Sequence, residues 1–137
     1  MIALALIATV IFSLTLTACA GKDSNEDLWS SAIYTSNTEL GEGERTAVVQ
    51  VSAGDKSVIF TVHTDRTILG EALEENGLIS GEQGQYGLYV KTVDGISADF
   101  DKDGVYWAFY IDGEYALSGV DTTEISEEAE YTLACEK

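Results

Sequence analysis

Alternation of apolar and polar residues begins late in this chain. Between Thr46 and Val51, the residues Ala47, Val49 and Val51 fall on one face of an extended strand, because successive strand side chains point to opposite sides. Ser57 to His63 repeats the pattern: Val58, Phe60 and Val62 face one way, and Ser57, Ile59, Thr61 and His63 the other. Gly54 and Asp55 lie between these runs and are turn residues, so the spacing predicts a β-hairpin. The period then changes. From Thr67 to Asn76, Ile68, Leu69, Ala72 and Leu73 form an apolar stripe at helical spacing. Glu71, Glu74 and Glu75 make its wet face, and are read as solvated side chains rather than as acid–base or metal-binding groups. Asp65 or Thr67 is placed to cap the helix start, and Asn76-Gly77 to end it in the left-handed conformation.

Ile79 to Gln85 is Gly-rich, does not alternate, and reads as a loop. No lysine follows its glycines, so it is not a phosphate cradle. Three strand-like runs come after it: Tyr86 to Val93, Val105 to Ile111 and Tyr131 to Cys135. In the second, Val105, Trp107, Phe109 and Ile111 share one face, and Tyr106, Ala108 and Tyr110 the other. Asp112-Gly113 follows as a hairpin turn. In the last run, Cys135 shares the face of Tyr131 and Leu133, which predicts a buried thiol. The order β-β-α-β-β-β predicts an α+β domain over 46–137, β-grasp-like, with one helix packed on a mostly antiparallel sheet. About 90 residues suffice for one modest core.

The beginning of the chain is different. Ile2 to Ala18 is apolar apart from Thr9, Ser13, Thr15 and Thr17, and it ends in Leu16-Thr17-Ala18-Cys19. Small residues before a cut site mark 1–18 as a signal peptide. Leu16 to Cys19 also resembles the lipobox of bacterial lipoproteins. That resemblance implies that Cys19 is lipidated and becomes the first residue of a chain anchored in the cell membrane, its domain facing the extracellular side. An uncleaved spanning helix is the alternative, since the run approaches the roughly 20 residues such a helix needs, and no Lys or Arg precedes Cys19. Both readings export the domain. Residues 19–45 are rich in Ser, Asn, Glu and Gly and sustain no period, which predicts a flexible acidic tether. Trp29, Ile33 and Tyr34 are the exceptions, either packed on the domain or simply scattered apolar residues.

Charge narrows the partners. The 137 residues include 7 Lys+Arg and 24 Asp+Glu, a net charge of −17, and every charged residue lies after Ala18. Such a chain is unsuited to nucleic acid, whose phosphates need clustered Lys and Arg. Its surface is solvated and self-repelling. With Cys19 lipidated, Cys135 has no disulfide partner. His63 is the sole histidine, and no nucleophile elbow occurs, so an enzyme is not expected.

Two sets of residues remain as candidate sites. Asp99, Asp101 and Asp103 lead into Gly104 as in the first half of a calcium loop. Position twelve of that loop would be Tyr110, inside a strand, so an acidic hairpin loop is the competing reading. Tyr106 and Tyr110, with Tyr89 and Tyr115, form a candidate aromatic patch for a small planar ligand; alternatively they cover the second side of the sheet. Trp107, on the opposite face, belongs with the core.

Several local patterns resemble one family together. These are Thr67-Ile68-Leu69 with Ala72-Leu73 and Gly77-Leu78, then Tyr89-Val90 with Val93-Asp94-Gly95-Ile96, then the run from Gly104 through Tyr106-Trp107 to Asp112-Gly113-Glu114, and Gly119-Val120-Asp121. They are similar to the transcobalamin-like C-terminal domain, a module also found in bacterial surface lipoproteins, and the likeness covers about 46–137. In that family the domain closes over one face of cobalamin, together with a separate helical domain. The resemblance therefore implies a surface module that binds cobalamin or another corrinoid, with no further cofactor. A surface protein-interaction module without a small ligand is the competing reading.

Overall fold

The computed structural model describes residues 28–137. The expected signal peptide at 1–18 and the expected lipidation at Cys19 lie outside the described residues.

The domain is α+β, with one main helix set against sheet. β1 (Thr38–Gly41), β2 (Arg45–Ala53) and β3 (Lys56–Thr64) come first, followed by α1 (Leu69–Glu75). β4 (Ile79–Gly84), β5 (Gly87–Val93) and β6 (Ile96–Ser97) follow, then the one-turn helix α2 (Phe100–Asp103). β7 (Tyr106–Ile111), β8 (Glu114–Tyr115), a 3-10 turn (Val120–Thr122) and β9 (Glu130–Glu136) complete it. The larger sheet has the order β1-β3-β2-β9-β7-β8, and the smaller one β4-β5-β6. β9 enters the centre of the large sheet, parallel to β2 and antiparallel to β7, which is the β-grasp arrangement expected. The hairpins are antiparallel, while β1 runs parallel to β3.

The alternating residues form the core as the pattern requires. Ala47, Val49 and Val51 of β2, Val58, Phe60 and Val62 of β3, and Leu133 and Tyr131 of β9 are all buried, against Leu69, Ala72 and Leu73 of α1. Each large apolar side chain buried this way contributes about 1.5–3 kcal/mol. The β7–β8 turn places Asp112 at φ 51° and Gly113 at φ 82°. Both central residues are left-handed, as a tight hairpin turn of this twist demands.

Three expectations change. The helix starts at Leu69 rather than Thr67, and Ile68 makes no side-chain cap. Its place is set by tertiary pairing: the Leu69 amide donates to the Thr123 carbonyl, the Ile125 amide donates to the Thr67 carbonyl, and Ile68 bridges to Glu124. This holds Ile68 extended, while Asp65 accepts from the Glu44 amide instead. The loop expected at Ile79 to Gln85 is β4, paired with β5. It is exposed after Ile79, so pairing without burial left no alternation to read.

The largest change concerns residues 28–45, expected as a flexible tether. They are part of the fold. Trp29 is buried and its Nε1 donates to the Ala53 carbonyl at 2.9 Å, with Lys56 Nζ 5.0 Å from the ring centroid. The Tyr34 ring meets Phe60 edge-on at 5.7 Å. The Ile33 and Tyr34 amides donate to the backbone and the side chain of Asp94, each at 2.9 Å. Single anchors and backbone bonds hold this segment, and neither leaves a periodic trace in sequence.

Candidate functional site

Two turns, Gln85-Tyr86 between Gly84 and Gly87 and Leu117-Ser118 between Ala116 and Gly119, lie on either side of a cleft of about 460 Å³. The β4–β5 hairpin supplies one wall through Leu88 and Val90, and the segment from Ala116 to Val120 supplies the other. Trp107, Phe109 and Leu133 from the large sheet form its floor. The Trp107 indole N–H donates to the Ile96 carbonyl at 3.2 Å, so its polar edge is satisfied inside and the surface left for the cleft is apolar. Phe109 is stacked with Tyr131, its diagonal neighbour on β9, at 6.2 Å between ring centroids.

The rim is unusual in what it leaves in water. Tyr86 is 94% exposed and Leu117 fully exposed, with Tyr89 and Tyr115 also exposed. Scattered apolar residues on a surface need no explanation, but several around one cleft make it the candidate binding site of the domain.

Asp121 latches the two walls together. Its Oδ2 accepts from the Leu88 amide at 3.0 Å. Gly87, at φ +106°, lets the hairpin backbone reach that carboxylate, since a Cβ there would sit 2.7 Å from Oδ2. A Cβ at Gly119 would stand 2.9 Å from Oδ1, and one at Gly70 of α1 2.9 Å from the Asp121 Cα. The 3-10 turn is itself held by Thr122 and Thr123, whose hydroxyls donate to the Gly119 carbonyl at 3.2 and 2.8 Å.

The four tyrosines singled out by sequence do not form one patch. Tyr89 borders the cleft, with Lys91 Nζ 5.8 Å from its ring centroid. Tyr106 and Tyr110 lie on the other side of the large sheet and donate to Glu136 at 3.5 and 2.7 Å. Tyr115 belongs to both surroundings, lining the cleft and meeting Tyr110 edge-on at 5.5 Å. Strand alternation separates them. Trp107 has the core position expected and is also part of the cleft floor. Tyr86, Leu117 and Asp121 were not singled out. The available signal for the first two was a bulky residue in a turn between small neighbours.

The three aspartates do not converge either. Asp99 caps α2 through a bond from the Asp101 amide at 3.0 Å, and its other oxygen lies 4.0 Å from Lys91 Nζ. One helical turn splays alternate residues apart, and among the described residues no group of three His, Cys, Asp or Glu could hold a metal ion. His63 is half-buried, 3.3 Å from the Thr46 hydroxyl and 3.8 Å from Glu39. Cys135 is only half-buried, and burial followed by the Glu136 charge pushes its thiol pKa up, away from nucleophilic chemistry.

A polar group that sequence did not flag is Asp94, fully buried at φ 51° in the β5–β6 turn. Burial raises its pKa, opposed by the Tyr34 and Ile33 amides. Its Oδ2 is buried without a hydrogen-bond partner among the described residues.

A family model described as a domain of unknown function, DUF4430, matches residues 65–137, more than half of the chain. The structure is similar to a crystal structure from Ruminococcus gnavus ATCC 29149, provisionally described as a metal binding protein, at 35% identity and a TM-score of 0.64. That match covers 69% of this chain and 98% of the other. It is also similar to haptocorrin in complex with Cbi, at 17% identity and a TM-score of 0.52, over 71% of this chain. The match spans 26% of the haptocorrin chain, and at this identity the likeness is one of fold. A search of curated proteins gave no match.

Proposed function

The chain belongs to the DUF4430 family, and we propose that it is a non-enzymatic, lipid-anchored surface module that holds a planar ligand of the corrinoid class in the cleft above Trp107. The observation that carries this reading is the cleft itself, an apolar floor ringed by side chains left in solvent. A flat ligand with apolar faces would cover Tyr86, Leu117 and Tyr89 at once, removing from water the surface that the fold leaves exposed. The fold likeness to haptocorrin in complex with Cbi supports the ligand class, and the lipobox ending at Cys19 supports the anchor.

The test is thermal unfolding of the chain from Ala20 onward, with and without saturating cobalamin or cobinamide. A ligand at 100 times its dissociation constant adds about 2.7 kcal/mol, which raises the midpoint of a domain this small by roughly 10–20 °C. A rise lost in the double variant Tyr86→Ala, Leu117→Ala supports the cleft. No rise with either corrinoid rejects the ligand class. The anchor is tested separately, by loss of metabolic lipid labelling in Cys19→Ala.

A second reading is capture of a surface protein, favoured by one observation. β4 is the edge of the three-stranded sheet and is exposed from Ser80 to Gly84, an open edge on which a partner strand can add.

A further inference from the structure

The alternation that sends Trp107 and Phe109 inward sends Tyr106, Ala108 and Tyr110 to the opposite face of the large sheet. Ala108 is only 1% exposed there, and its cross-strand partner is Ala134. Two methyl groups leave room for tyrosine rings to lie over β7 and β9. Both hydroxyls reach one carboxylate: Tyr110 donates to Glu136 Oε1 at 2.7 Å, and Tyr106 to Oε2 at 3.5 Å. Phe100 meets Tyr106 edge-on at 6.2 Å, and Tyr115 meets Tyr110 edge-on at 5.5 Å. Four rings from three elements thus form two edge-on pairs whose tyrosine hydroxyls meet at Glu136. Desolvation, with the Glu136 charge, raises the Tyr106 pKa, and the bond to Glu136 leads in pushing Tyr110 up to about 12, so both phenols stay protonated donors. Among the described residues, no Lys, Arg or His forms an ion pair with Glu136.

We propose that these rings around Glu136 form a second binding site, on the opposite face of the large sheet and sharing only Tyr115 with the cleft, and that it takes a quaternary or methylated ammonium group. An aromatic face attracts a cation through its quadrupole, and a phenol that donates to a carboxylate carries a more electron-rich ring. Edge-to-face neighbours present ring surfaces at steep angles to one another, which suits a compact, roughly spherical cation better than a flat molecule. The Glu136 carboxylate adds an acceptor that no ion pair among the described residues engages. A neutral sugar would find both Tyr106 and Tyr110 hydroxyls already committed, and an anion would meet the carboxylate. The net charge of −17 raises the local concentration of cations over the whole surface.

The experiment is a titration of the detergent-solubilised full chain with tetramethylammonium chloride at constant ionic strength, followed by tyrosine ring resonances in NMR. tert-Butanol serves as the neutral control of similar shape. The expected result is saturating shifts of Tyr106, Tyr110 and Tyr115 with the cation only, weakened about tenfold in Glu136→Gln, the loss of roughly 1.4 kcal/mol. Should Glu136→Gln fail to fold, Tyr115→Leu carries the test, with about threefold weaker binding expected at an exposed ring. Shifts of equal size with tert-butanol, absence of saturation, or undiminished affinity in the folded variant overturns the proposal.

Discussion

The two long hairpins of this domain share a topology and little else. In the β2–β3 hairpin, every inward residue from Ala47 to Val51 and from Val58 to Val62 is buried, and each strand alternates strictly. In the β4–β5 hairpin, only Ile79 and Val93 at its base are buried, and a register shift interrupts the ladder between Ser80 and Gly81. Gly81 stands where a Cβ would overlap the Tyr89 carbonyl, so the strands approach through backbone alone. The first hairpin is held by what it buries. The second is held by its ladder and by the Asp121 latch, and is therefore free to carry Tyr86 and Tyr89 in solvent. Burial supplies stability, and freedom from burial supplies a surface that a ligand can cover.

The comparison can be broken most severely at Phe60. Phe60→Ala should cost about 3–5 kcal/mol, a loss visible as a large fall in the urea midpoint and a weakened grip on Tyr34, its edge-on neighbour. Asp121→Ala should cost about 1–3 kcal/mol, because it leaves the part-buried Leu88 amide without its acceptor. Its signature is local: hydrogen exchange should speed at Leu88 and along β5 while β2 and β3 keep their protection. Asp121→Asn keeps an acceptor oxygen and should restore most of that protection. Uniform loss of protection in Asp121→Ala would mean that the two hairpins are not independently held.

Asp94 sharpens the comparison through pH. Its carboxyl is buried and its pKa is raised in the fold, so the folded state favours the protonated form. The stability it contributes is therefore complete below the ordinary carboxyl range and is lost as pH rises toward the folded pKa. Asp94→Asn should remove this component, making stability fall less between the ordinary carboxyl pKa and neutrality than in the wild type. Paired urea titrations across that range measure it, and identical pH slopes would refute it. The smallest effect on stability belongs to the rim. Tyr86→Ala and Leu117→Ala should each change stability by no more than about 0.5 kcal/mol.

How much was legible follows from what each residue does. Ala47, Val49, Val51, Val58, Phe60 and Val62 announced themselves, because a half-buried strand must alternate. Asp112-Gly113 was readable because few residues adopt the left-handed pair such a turn requires. β4 was not, because its bonds run between backbones and most of its side chains face water. Trp29 and Tyr34 looked like stray apolar residues, since each docks alone and no period connects them. The tyrosines were visible as a group, but only the sheet could show that Tyr89 and Tyr106 stand on opposite sides of it.

By itself, the sequence determined the α+β class, the inward faces of the central strands, the acidic character of the chain, and the helix in its middle. These depend on local geometry and on the distribution of charge, which adjacent residues encode. The tertiary structure alone decided where the helix begins, that residues 28–45 join the domain, that Asp121 spans the two walls of a cleft, and that Glu136 lies between Tyr106 and Tyr110. Each of these joins groups far apart along the chain, and such contacts exist only once the sheet has closed around β9.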